Sequence, residues 1–161
     1  YNVASVLSPL WANRQLCAGG ENPLQCEERL HNPSIAIVNM ETWWQQRPAT
    51  EYEAYLNQIV EFWLAQGVVP IVGTKADNLE GDHGINAAIV RVADRYQIPL
   101  WNFWLAVQGL PNHGLSEDGF YLTFARNFFD DPQRLEASWP IRNLTALQTI
   151  DAVYRALIEA E

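Results

Sequence analysis

Lysine is almost missing from this sequence. Lys75 stands alone beside nine arginines and 19 acidic residues, and the formal net charge is −9. Nucleic acid and anionic lipid are held by clustered cations, so the shortage argues against both as partners. Long apolar runs are missing too. None approaches the roughly 20 residues that a bilayer-crossing helix needs, so no membrane span is expected. There is no internal repeat and no low-complexity tract. Neither an initiator methionine nor a recognisable signal peptide precedes Tyr1, and the expectation is a processed form or an excised segment. Cysteine occurs twice, as Cys17 and Cys26.

What is present suits one globular domain over residues 1–161. Hydrophobic residues make up 48% and charged residues 18%, which excludes general disorder. A chain of 161 residues is long enough to bury about 70% of its unfolded surface. Residues 34–40, "SIAIVNM", read as a buried strand after Pro33. Thr50 with Glu53 has the spacing of a capping box, and an apolar stripe at 52, 55, 56, 59, 60 and 63 follows, ending at Gly67. "VVPIV", 68–72, is a second strand despite Pro70, which forfeits one ladder donor. Asp82 is placed to cap a helix whose stripe runs through Ile85, Ala88, Ile89, Val92, Ala93 and Tyr96. "IPLWNF", 98–103, is a third strand. A last helix is expected after Asn143, through Leu147, Ile150, Tyr154, Leu157 and Ile158.

Strand, helix, strand, helix, strand with short connections predicts an α/β fold with a parallel sheet covered by helices. Chemistry in such sheets collects beyond the carboxyl ends of the strands. The candidate binding residues are therefore Thr42, Trp43 and Trp44 after the first strand and Lys75, Asp77 and Asn78 after the second. The loop from Trp104 to Thr123 after the third strand completes the set. Lys75 is the candidate anion contact, with a plain surface lysine as the alternative. Asp77, Glu80, Asp82 and His83 invite a metal reading, but their spacing matches neither an EF-hand nor a His-x-x-x-His site, so no metal and no organic cofactor are expected. "NLT" at 143–145 matches a glycosylation acceptor, for which a helix cap is sufficient explanation.

The ten residues "GLSEDGFYLT", 114–123, are the most pointed stretch. Together with "PLWNF" and "NHG" ahead of them, they resemble the SGNH (GDSL-type) ester hydrolases, most closely the bacterial members with a two-cysteine loop before the first recognisable strand. The likeness runs from about Pro33 to Thr123. It implies a three-layer α/β sandwich with a flavodoxin-like parallel sheet, and an acyl-ester or carbohydrate-ester hydrolase working through a Ser-His-Asp triad without a cofactor. Its ligand would be a small ester or a carbohydrate.

The family's catalytic blocks are incomplete here. No Gly-Asp-Ser turn occurs, so the serine-bearing first strand is expected to be lacking. Glu41, Thr42, Trp43 and Trp44 stand where a Gly-x-Asn-Asp turn belongs. Asp118 matches the triad acid, while Tyr121 occupies the position of the histidine. A general base needs a pKa near the working pH, and a phenol, near 10, stays protonated. His113 is the one nearby imidazole that would substitute. The plain alternative for Asp118 is a turn residue accepting backbone N–H groups. The expected function is thus an ester-hydrolase fold that is impaired or inactive, or else a non-catalytic module binding carbohydrate or another small ligand.

Cys17 and Cys26 flank a loop containing Gly19, Gly20 and Pro23, short and flexible enough to close as a disulfide ring. Two reduced cysteines in a surface loop are the alternative. The disulfide would imply a periplasmic or extracellular location.

Overall fold

The computed structural model of the chain describes residues 2–40, 44 and 47–159. It is an α/β protein with a small, open, parallel sheet of three strands in the order β1-β2-β3.

After two short 3-10 turns near the N-terminus comes helix α1, Pro23–His31. The sequence reading left this helix out, although its signal is plain. Asn22 accepts from the Gln25 amide at 2.9 Å while Gln25 accepts from the Asn22 amide at 3.0 Å, a capping box with Pro23 at the first helical position. Cys17 and Cys26 are joined as a disulfide, which ties the preceding loop to this helix.

Strand β1 is Ile35–Val38 and strand β2 is Val69–Gly73, both within a residue or two of expectation. Ile35 pairs with Val69 and Val38 with Val72. Pro70 sits in the central strand without disrupting it, and parity explains why. The Val69 amide reaches Ser34 on the β1 side and the Val72 amide reaches Pro99 on the β3 side. Amides alternate along a strand, so the missing N–H of Pro70 faces the β3 side, where pairing begins only at Val72 opposite Leu100. Strand β3 is just Leu100–Trp101, shorter than the expected 98–103, because Asn102 already caps the next helix by accepting from the Leu105 amide at 3.1 Å.

Helix α2, Ala49–Ala65, buries Tyr52, Leu56, Ile59, Val60 and Trp63, five of the six positions of the predicted stripe, with Tyr55 partly buried beside them. Its start corrects the expected capping box: Pro48 is the cap residue and Thr50 lies inside the helix without a side-chain capping bond. Glu53 is taken by helix α3, Gly84–Tyr96, through Arg91 at 2.7 Å and Arg95 at 2.8 Å. In α3 the cap residue is His83, in a left-handed conformation, while Asp82 still accepts from the Gly84 amide at 2.8 Å. Helix α4 is Phe103–Val107.

Helix α5, Ser138–Glu159, starts well before the expected Asn143. The Ser138 amide is held by Thr123 Oγ1 at 3.0 Å, and Pro140 is tolerated because first-turn amides have no intrahelical acceptor. Asn143 is therefore an interior residue, bonded to Asn127 at 3.0 Å, and not a cap.

Alternation along the strands splits the apolar side chains between two clusters. Val38 and Val72 join α2 and α3 with Val3, Val6 and Leu24. Ile71 and Trp101 join Phe103 and Val107, with Ile35 and the α5 residues Ile141, Ala146, Ile150 and Val153 packed against them. Among the described residues no helix is long and apolar enough to cross a membrane.

Candidate functional site at the carboxyl edge of the sheet

Each strand of the sheet ends on a polar residue: Asn39 after β1, Thr74 after β2 and Asn102 after β3. The three are chained together. Asn39 Nδ2 donates to the Thr74 carbonyl at 3.1 Å, and Thr74 Oγ1 donates to Asn102 Oδ1 at 3.3 Å. Thr74 Oγ1 also accepts the Trp104 amide at 2.9 Å. From α5, Arg142 reaches Asn39 Oδ1 through Nε at 3.2 Å and Nη2 at 2.9 Å. Its guanidinium lies 5.7 Å from the Trp101 ring centre and 5.9 Å from that of Trp139. Gly73 permits this closure, since a Cβ there would stand 2.8 Å from both Asn39 Nδ2 and the Trp101 ring. Sequence reading missed Asn39, Thr74, Asn102 and Arg142. The first three were findable as the polar residue ending each strand; Arg142, on a distant helix, carried no local signal.

The loop after β2 corrects the expectation for Lys75. It is neither an anion contact nor a surface lysine, for only 2% of its side chain is exposed. Its ammonium is held by Asp77 Oδ1 at 2.5 Å, Glu80 Oε2 at 2.6 Å and the Asp77 carbonyl at 3.2 Å. Three donors meet three acceptors, so neither Lys75 nor Asp77 presents that charge to a ligand. The same pairing occupies Asp77 and Glu80, two of the three carboxylates that suggested metal. Asn86, itself buried, fastens the Lys75 backbone by accepting its amide at 2.9 Å and donating to its carbonyl at 3.0 Å. Asn78 accepts the His83 amide at 2.8 Å, with its Nδ2 3.1 Å from His83 Nε2, so it positions that loop.

Thr42 and Trp43 lie outside the described residues. Trp44 is a core aromatic and not a ligand wall. It is 3% exposed, donates its indole N–H to the Pro48 carbonyl at 3.3 Å and meets Tyr52 and Tyr55 edge-on.

Leu115 and Leu122 form an antiparallel bridge, closing a small hairpin around Asp118. Asp118 Oδ1 accepts from the Ser116 hydroxyl at 2.7 Å and from the Phe120 and Tyr121 amides at 2.9 and 3.1 Å. The Phe120 amide, with the Ser116 hydroxyl and Tyr121 amide after it, holds this carboxyl below the usual aspartate range. Asp118 and Tyr121 thus meet through backbone, while the Tyr121 ring leans on Phe120 and is 66% exposed. His113 is turned elsewhere, with Nδ1 3.1 Å from the Gln108 carbonyl.

A cleft of about 400 Å³ opens between α3 and α4 over the ends of β2 and β3, lined by residues including Thr74, Asp82, His83, Asn102 and Trp104. His83 and Trp104 meet edge-on at 5.6 Å. Among the described residues, the one three-ligand cluster that could hold a metal is Cys17, Glu21 and Cys26, whose sulfurs are joined to each other.

No protein-family model matches the chain, and no curated protein matches it. The two-sided parallel sheet and its carboxyl edge therefore define this molecule as an α/β protein and no further.

Proposed function

We propose that this chain is an SGNH-type ester-hydrolase fold, a three-layer α/β sandwich, whose triad corner does not catalyse. The single observation that carries this reading is the state of Asp118. Its Oδ1 serves three donors of its own hairpin, and the side chain three residues on is a phenol, not an imidazole. Acyl transfer needs a group that collects the serine proton and returns it to the leaving group, which a phenol does not do near neutrality. The missing serine strand is supported by β1. Its outer edge has no neighbouring strand among the described residues, and a cavity of about 160 Å³ lies there, lined by residues including Val6, Leu24, Ile37, Val38 and Trp63. Ile37 and Val38 point to opposite faces, so a cavity touching both lies at the strand edge.

The expected outcome is that the purified chain shows no saturable turnover of p-nitrophenyl acetate. Tyr121→His alone stays silent, whereas the same substitution combined with a covalently joined strand bearing Gly-Asp-Ser gains activity. Ester turnover by the unaltered chain with a bell-shaped pH profile would overturn the reading.

A second reading, a module that binds carbohydrate or another small ligand on this fold, is favoured by the cleft beside Trp104. Its volume, about 400 Å³, falls within the ~300–1,000 Å³ of small-molecule sites.

A further inference from the structure

We propose that the cleft between α3 and α4 is a pyranose-binding site, built on Trp104, Asp82, Asn102 and His83; the inference rests on the ligand-binding reading and gives it a place and a chemical class. The site is distinct from the hairpin carrying Asp118 and Tyr121, neither of which lines it.

Its parts are fixed before any ligand arrives. Thr74, 3% exposed, holds the Trp104 amide and the Asn102 carboxamide oxygen with one hydroxyl. Asn78 holds His83 by backbone and ring, and the His83 ring abuts the indole. Asn78 Nδ2 can only donate, so His83 Nε2 is the acceptor and Nδ1 carries the proton. The Asn102 and His83 side chains, held in this way, lose less freedom on binding than unbonded ones.

The atoms left over have a pattern. Asp82 spends Oδ1 on the Gly84 amide and Asn102 spends Oδ1 on Leu105 and Thr74. Asp82 Oδ2, Asn102 Nδ2, His83 Nδ1 and the Trp104 indole N–H have no protein partner among the described residues. That is one strong acceptor and three donors, the complement of neighbouring hydroxyls, each of which both donates and accepts. Between them lie apolar surfaces, the indole, Ala87 and Val90, the last 45% exposed. A pyranose presents a C–H face to such surfaces and hydroxyls at its rim. Other ligands fit less well. An anion would meet Asp82 and a net charge of −9. An acyl chain would bury the four polar atoms unpaired, which disfavours it.

Titration with methyl glucoside, galactoside, mannoside and xyloside, followed by tryptophan fluorescence and calorimetry, tests this. At least one is expected to bind saturably in the millimolar range, about −4 kcal/mol. Trp104→Ala is expected to weaken it at least tenfold. Asp82→Asn, which keeps Oδ1 for Gly84 and replaces the free acceptor by a donor, is expected to weaken it similarly with an unchanged melting temperature. Should Trp104→Ala fold poorly, Trp104→Phe and Asp82→Asn carry the test. Undiminished affinity in both altered proteins overturns the site while leaving a ligand-binding module standing. Binding of tetramethylammonium in preference to every glycoside overturns the ligand class. Absence of any glycoside binding overturns the proposal outright, and ester turnover would instead sink the silent-triad reading.

Discussion

Lys75 shows how far one residue departs from its usual habit. A lysine just past a strand end is ordinarily solvated, yet here Asn86 fixes its backbone and the side chain turns inward onto Asp77 and Glu80. Burial, followed by the fields of Glu80 and Asp77, pushes the Tyr52 hydroxyl well above the normal tyrosine range, so that core tyrosine stays neutral. Replacing Lys75 leaves two carboxylates facing each other with little water. Lys75→Met is accordingly expected to destabilise by about 3–5 kcal/mol in urea unfolding, the size seen when one partner of a buried pair is removed. A loss under about 1 kcal/mol, typical of an exposed pair, would show that the ammonium is not held as described. Tyr121 is the opposite case, since it is 66% exposed and its ring leans on Phe120, and only under the proposed silent-triad reading does its identity matter, through the proton it does not handle.

Between elements, the α2–α3 contact turns on Glu53, which bridges Arg91 and Arg95 while Tyr96 donates to Glu61 at 2.6 Å. The Arg91 side chain first, then Arg95, holds the Glu53 carboxyl below its ordinary value. A depressed folded value means that the stabilisation is complete above the unfolded value of about 4.3 and is lost as pH falls through the folded one. Glu53→Gln is therefore expected to lower the melting temperature at pH 7, with the gap to the unaltered chain closing progressively below about pH 4. Because both arginines are half exposed, the effect is no more than about 1 kcal/mol and shrinks in salt. A gap of constant size down to pH 2 would mean that packing, not charge, joins the helices.

The molecule as a whole is uneven in how well it covers itself. Strand β1 reads Ile-Ala-Ile-Val, with no lysine, proline or bulge to protect its outer edge, and Ile37 is 37% exposed. Leu147, Tyr154, Leu157 and Ile158 of α5 are exposed as well. An apolar edge of this kind pairs with others like it. Light scattering after size exclusion is expected to show mass rising with concentration, and Ile37→Lys is expected to reduce it without lowering the melting temperature. A chain that stays monodisperse at every concentration would show that the edge is already protected.

Local chemistry in the sequence determined the order of the three strands with α2 and α3 between them, the apolar stripes of those two helices, and the short ring between Cys17 and Cys26 as a candidate. Those follow from periodicity and side-chain type, which act over a few residues. Tertiary structure alone decided where α5 begins, because Thr123 supplies its first contact from 15 residues away. It also decided that Lys75 and Trp44 face inward, and that Glu53 serves α3 and not its own helix. Finally it gathered Asp82, Asn102 and Trp104 around one cleft, because only parallel strands ending side by side bring residues so distant in sequence to a common edge.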